Sequence, residues 1–184
     1  MFPSFCPSVP AYFAPNYLLF TLHACCLACG SIGDCMTLKK ILLVEDDPLG
    51  VELALAALEE SRLADQVAVV KDGVEAMNYL ARKGVYASRG DGEPVVVLLD
   101  LKMPRMDGLQ LLERVRSDER FRTLPVVMLS SSREETDKKR SYELGANAYV
   151  VKPVDFDEFK STVRRIGRFW AEVNEPPPGM CRRN

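Results

Sequence analysis

From residue 40 onward the chain repeats one pattern five times. A short run of apolar, often β-branched residues is followed by a polar break, then by a stretch whose apolar positions recur at helical spacing. The runs predict strands over residues 40–44, 66–70, 95–99, 126–129 and 148–151. Helix starts are legible between them. Asp47-Pro48 pairs a capping side chain with proline at the first helical position, where a missing N–H is harmless. Asp72 with Glu75, Asp107 with Gln110, Ser132 with Glu135 and Asp155 with Glu158 each put an acceptor at the cap and Glu or Gln three residues on. Repeated strand-then-helix units imply right-handed crossovers, and hence a doubly wound, five-stranded parallel α/β sheet with helices on both faces.

In open sheets of this kind, chemistry collects at the C-terminal ends of the strands. The buried run 95–99 delivers a single carboxylate, Asp100; the first strand ends on Glu45, Asp46 and Asp47, the fourth on Ser130, Ser131 and Ser132, and the fifth on Lys152 and Pro153. Taken singly, each has an ordinary reading as a cap, turn or solvated residue. Together they place acids, hydroxyl and amine along one edge.

Four separated signatures therefore stand in a fixed order: Glu45-Asp46 in KKILLVEDDP, the stretch DLKMPRMDG beginning at Asp100, the hydroxyl closing VVMLSSS, and Lys152-Pro153. This set resembles the receiver domain of two-component response regulators, from about residue 39 to about residue 170. The resemblance implies the flavodoxin-like strand order 2-1-3-4-5, which sets the first strand beside the third. Glu45, Asp46 and Asp100 then share a pocket and repel one another unless a cation sits among them; oxygen donors in a partly hydrated site suit Mg²⁺.

By the same resemblance Asp100 is the phosphoacceptor for a histidine kinase. Asp46, Asp100 and the backbone carbonyl of Lys102 ligate the metal, with Glu45 acting largely through water, while Asp47 is assigned to capping. Lys152 supplies a cation to the phosphoryl oxygens and Ser130 a hydroxyl. Three successive serines leave alternatives: alignment on the strand selects Ser130, and Ser132 suits a helix cap. Ser130 and the Tyr149 aromatic form the implied switch. The stretch RSYELGANAYVVKPVDFDEF followed by IGRFW resembles, more narrowly, stand-alone receivers that partner phytochrome-type histidine kinases. The expected protein is thus a signalling phosphoacceptor with slow autodephosphorylation, not an enzyme.

Composition narrows the competing classes. With 47% hydrophobic and 27% charged residues and a net charge of −2, the chain has an ordinary globular balance and no basic excess for nucleic acid. Of six cysteines, five precede Met36 and the last is Cys181, so the expected core relies on no disulfide and a cytoplasmic setting is expected. Residues 1–35 contain no Lys or Arg, which argues against a secretory signal, and a lone CxxC near His23 argues against zinc. They are expected to be an extension that is disordered or not natively translated, with the receiver over 36–174 and a disordered tail over 175–184. The apolar stretch within the extension is too short to span a bilayer.

An aspartyl-nucleophile, Mg²⁺-dependent phosphatase is the contrasting enzyme class. Such enzymes resemble a DxD pattern, and here Lys102 stands at the second position after Asp100. An intermediate in a phosphorelay is a further alternative. Too little chain follows Trp170 for a helix-turn-helix, so direct DNA binding is not expected, and Lys160, Arg164, Arg165 and Arg168 read as a solvated helix face. Along the last helix Phe156, Phe159, Val163, Ile166, Trp170 and Val173 form an apolar seam. Its final turn, with Phe169, Trp170 and Val173, is expected to serve a homodimer through the fourth helix, fifth strand and fifth helix. The glycine-rich stretch 84–94 reads as a solvated connection.

Overall fold

The computed structural model describes residues 41–90 and 92–177. The expected extension over 1–35 lies outside the described residues, as does the end of the expected tail, 178–184. Five strands, β1 (Ile41–Val44), β2 (Val67–Val70), β3 (Val96–Leu99), β4 (Val126–Ser130) and β5 (Ala148–Val151), form a single parallel sheet in the order β2-β1-β3-β4-β5. Between and after them run α1 (Pro48–Glu59), α2 (Gly73–Leu80), α3 (Gly108–Ser117), α4 (Glu135–Glu143) and α5 (Phe156–Arg168). This is the order that the resemblance implied. β1 lies between β2 and β3, with Val44 paired to both Val70 and Leu99, so the first and third strand ends are neighbours.

The period-two alternation of side chains explains why the central strands read as continuous apolar runs. Leu42, Val44, Val97, Leu99, Val126 and Met128 join Ala76, Leu80, Leu111, Leu112 and Val115 from α2 and α3 in one core. Ile41, Leu43, Val96, Leu98, Val127 and Leu129 join Ala54, Ala57 and Leu58 of α1 and Phe159 and Val163 of α5 in the other. Each buried Val, Leu, Ile, Met or Phe among them contributes roughly 1.5–3 kcal/mol. β5 is an edge strand, partly buried along its whole length.

Three sequence expectations change in detail. The stretch 84–94 is not merely a solvated connection: Tyr86 meets Tyr79 edge-on at 5.2 Å, and Arg89 stacks 4.0 Å above the Tyr79 ring. The Tyr86 hydroxyl donates to Glu75 Oε1 at 2.8 Å, and burial together with that bond pushes it up to about 12. An aromatic and a cation spaced along a loop carry no periodicity, so the pattern of apolar positions misses them.

The predicted cap of the fourth helix also differs. α4 starts at Glu135, and Ser132 Oγ accepts from Glu134 N–H at 3.3 Å while donating to Asp137 Oδ2 at 2.6 Å. Asp137 rather than Glu135 answers the serine, because the helix begins later than the serine implied. Finally, the seam on the last helix is interrupted. α5 gives way to a π-helical turn over Phe169–Val173, closed by Asn174 N–H to Phe169 O at 2.7 Å, so spacing by threes and fours no longer follows one face. Phe156, Phe169 and Val173 are exposed, whereas Ile166 and Trp170 pack against the core.

Candidate functional site

Asp100 follows the last residue of β3, and its N–H donates to Val44 O at 3.0 Å, continuing the sheet ladder by one step. Glu45 does the same from β1 toward Val70 O, also at 3.0 Å. Both acids are therefore held by backbone before any side-chain contact is made. Glu45 and Asp100 are buried, at 4% and 7% exposure respectively, while neighbouring Asp46 is exposed. Carboxylate oxygens of Glu45, Asp46 and Asp100 all lie within 4.8 Å of one another. Asp47 stands apart from this group, its carboxylate accepting from Leu49 N–H and Gly50 N–H to cap α1.

The fifth strand brings the cation. Lys152 N–H donates to Ser130 O at 2.7 Å, which extends the β4–β5 ladder and carries the side chain across the edge. Its ammonium lies 2.6 Å from Glu45 Oε2 and 2.9 Å from Asp100 Oδ1. Burial raises the pKa of Glu45, and the nearby ammonium only partly offsets this. Burial alone would lower the pKa of Lys152, but its bonds to Glu45 and Asp100 and their charges prevail and raise it. Glu45 thus meets Lys152 directly, a contact between residues 107 positions apart that the sequence reading did not foresee.

Three carboxylates against one ammonium leave a formal charge of −2, and every carboxylate donor is oxygen. That set fits a hard divalent cation, with Asp46 on the solvent side leaving room for retained water. Lys102 N–H donates to Asp100 Oδ2 at 3.0 Å, so the chain leaving β3 folds back over the carboxylate. The close return depends on Gly108: a Cβ there would lie 2.3 Å from Asp100 O. Gly50 leaves similar space beside Glu45, where a Cβ would sit 3.0 Å from the carboxyl carbon.

The serines separate. Ser130, the last residue of β4, is 1% exposed and its Oγ accepts from Ser132 N–H at 3.1 Å. Ser131 is exposed and lines the cleft with Asp46, Asp100 and Lys152. The sequence places Ser131 at the strand end without assigning it a role, and only the direction of the chain leaving β4 distinguishes it from its neighbours. Tyr149 is half-buried, with its hydroxyl donating to Ser132 O at 3.1 Å and its N–H to the Tyr142 hydroxyl oxygen at 3.3 Å. The β4–α4 connection therefore touches the fifth strand through an aromatic.

Comparison with known proteins identifies the family. The family model for the response regulator receiver domain matches residues 41–164, most of the chain. The chain belongs to the response regulator receiver family. Response regulator Rcp1 of Synechocystis is 34% identical over 135 residues, covering 73% of this chain and 90% of Rcp1. The Mn²⁺-bound form of Rcp1 superposes with a TM-score of 0.68 at 33% identity, over 74% of this chain and 97% of that one.

The phosphorylated cyanobacterial phytochrome response regulator RcpA superposes with a TM-score of 0.70 at 38% identity, over 76% of this chain and 99% of RcpA. The bacteriophytochrome response regulator RtBRR is 55% identical, with a TM-score of 0.61 over 78% of this chain and 86% of that one. This receiver's close relatives are thus stand-alone response regulators of the phytochrome type. Among the described residues no helix is long and apolar enough to cross a membrane.

Proposed function

We propose that this receiver takes a phosphoryl group from a histidine kinase onto Asp100, using Mg²⁺, and thereby switches a protein-interaction surface. The observation that carries the reading is the position of Asp100: at the end of β3, 2.9 Å from the Lys152 ammonium and grouped with the carboxylates of Glu45 and Asp46. Asp46, Asp100 and the Lys102 carbonyl would hold the metal directly, with Glu45 reaching it largely through water. Bound Mg²⁺ supplies charge neutralisation for phosphoryl oxygens. The Asp100 carboxylate acts as nucleophile, and Lys152 stabilises the transferred group once Glu45 no longer holds its ammonium.

Ser130 offers the hydroxyl, which requires its Oγ to leave the Ser132 N–H; Tyr149 would follow by exchanging its bond to Ser132 O for another rotamer. The protein is then a signalling module with slow self-dephosphorylation rather than an enzyme. Manganese in Rcp1 and phosphorylation in RcpA support the chemistry. Likeness to RcpA and RtBRR supports a phytochrome-type kinase as donor. A core without cysteine supports a cytoplasmic setting. We also infer a homodimer through α4, β5 and α5, supported by the exposure of Phe169 and Val173 at 48% and 69%. Trp170 meets Phe169 edge-on at 5.1 Å and, resting on the core, supports it from beneath.

Incubation with a small acyl-phosphate donor and Mg²⁺, followed by intact-mass measurement, tests the acceptor. One phosphoryl group is expected on the wild type and none on Asp100→Ala. Labelling that persists in the variant would exclude Asp100.

A further inference from the structure

The β3–α3 connection, residues 101–107, is tied down away from the phosphoacceptor as well as beside it. Arg105 in this connection donates its guanidinium to Oδ2 of Asp72, a carboxylate only 1% exposed. The other oxygen of Asp72 accepts from Glu75 N–H at 2.9 Å and caps α2. Next along the chain, Met106 O accepts from Gly73 N–H at 3.3 Å. That approach requires glycine, since a Cβ at position 73 would meet Met106 atoms at 2.7–2.9 Å. Arg105 itself adopts φ 65°, a left-handed conformation that non-glycine residues rarely hold without compensation. Met106 is buried at 7% exposure, and the same connection carries Lys102, whose N–H bonds Asp100 Oδ2 at 3.0 Å.

A buried carboxylate with one partner removed is left with uncompensated charge, so Asp72 holds Arg105 in place as firmly as Arg105 neutralises Asp72. We propose that Arg105 is a positioning residue for the phosphoacceptor. Its ion pair with Asp72 locks the connection onto the α2 cap, which fixes the Lys102 backbone over Asp100. This sets both the rotamer of the Asp100 carboxylate and the affinity of the acidic cluster for a divalent cation. It rests on the reading of Asp100 and its neighbours as phosphoacceptor and cation site. The device joins an α2 helix cap to the reacting edge of the sheet, with no contact between Arg105 and the transferred group.

The test compares Arg105→Gln with the double variant Asp72→Asn/Arg105→Gln, in the full chain. Asparagine still caps α2 but needs no guanidinium. The single variant is expected to lose melting temperature, and the double variant to regain most of it. In metal-free protein, exchange of the Lys102 amide is expected to be about tenfold faster in both variants, and calorimetric Mn²⁺ affinity about tenfold weaker, in line with lost outer contacts at metal sites. A purely structural Arg105 would instead let the double variant recover all three quantities. Lys102 exchange and Mn²⁺ affinity within about twofold of wild type in the double variant would overturn the proposal. Asp100→Ala is the control for the underlying reading: undiminished Mn²⁺ affinity in that variant would count against the cation site, while Lys102 exchange in metal-free protein would still decide the role of Arg105.

Discussion

Glu45 is 4% exposed with its carboxylate 2.6 Å from Lys152 Nζ, and even so burial raises its pKa above the usual 4.5. A carboxyl whose proton is held more tightly in the folded chain favours folding below the unfolded value, and that advantage is lost as pH rises through the folded value. Glu45→Gln has no such loss, and Lys152 keeps Asp100 as a partner. In metal-free protein the variant should therefore gain melting temperature relative to wild type between about pH 4 and about pH 7. Differential scanning calorimetry at the two pH values checks this; a gap that shrinks toward neutral pH would contradict it. The same substitution should weaken divalent-cation binding, which sets stability against function at one residue.

At the scale of elements, the first residue of α3, Gly108, is nearly in backbone contact with Asp100, the residue that follows β3. A methyl group there would lie 2.3 Å from Asp100 O, a clash with backbone that no side-chain rotation relieves. Gly108→Ala should cost about 1–3 kcal/mol, or roughly 3–10 °C of melting temperature, and reduce phosphorylation with it. A variant that melts and phosphorylates like wild type would count against the close return. α4 lies at the opposite extreme: only Ser141 is buried in it, and its ion pairs, Lys138 with Glu135 and Lys139 with Glu143, are on the surface. Amide exchange should be faster across α4 than across α1 or α3, because surface pairs add little and few apolar contacts hold it. Equal protection in all three would contradict that.

Strands and most caps were legible because they obey local rules: Asp72, Asp107 and Asp155 cap as their spacing implied. The resemblance also supplied the strand order that brings Asp100 beside Glu45. Less legible were contacts made across the sheet or from loops. Arg89 on Tyr79, Arg105 on Asp72 and Lys152 on Glu45 join residues whose pairing depends on tertiary approach, not on any period in the chain. The different surroundings of Ser130, Ser131 and Ser132 were illegible for the same reason, since adjacent residues point to different sides of a strand end. The π-helical turn after Arg168 leaves no mark in apolar spacing at all.

At the scale of the molecule, the sheet order collects four strand ends along one edge and leaves β5, α4 and the end of α5 on a flank. If that flank carries the homodimer, Phe169→Ala with Val173→Ala should shift sedimentation toward the monomer by tenfold or more in dissociation constant, about 1.4 kcal/mol. Wild-type protein that stays monomeric at tens of micromolar, with and without a phosphoryl mimic, would exclude the dimer. The central claim concerns which carboxylate reacts, and borohydride trapping addresses it most directly, because it reduces an aspartyl phosphate to homoserine and leaves a mark that peptide mass mapping can place. After treatment with a phosphodonor and Mg²⁺, homoserine is expected at position 100 and nowhere else. Homoserine at position 46 or 47 with Asp100 intact would contradict the account.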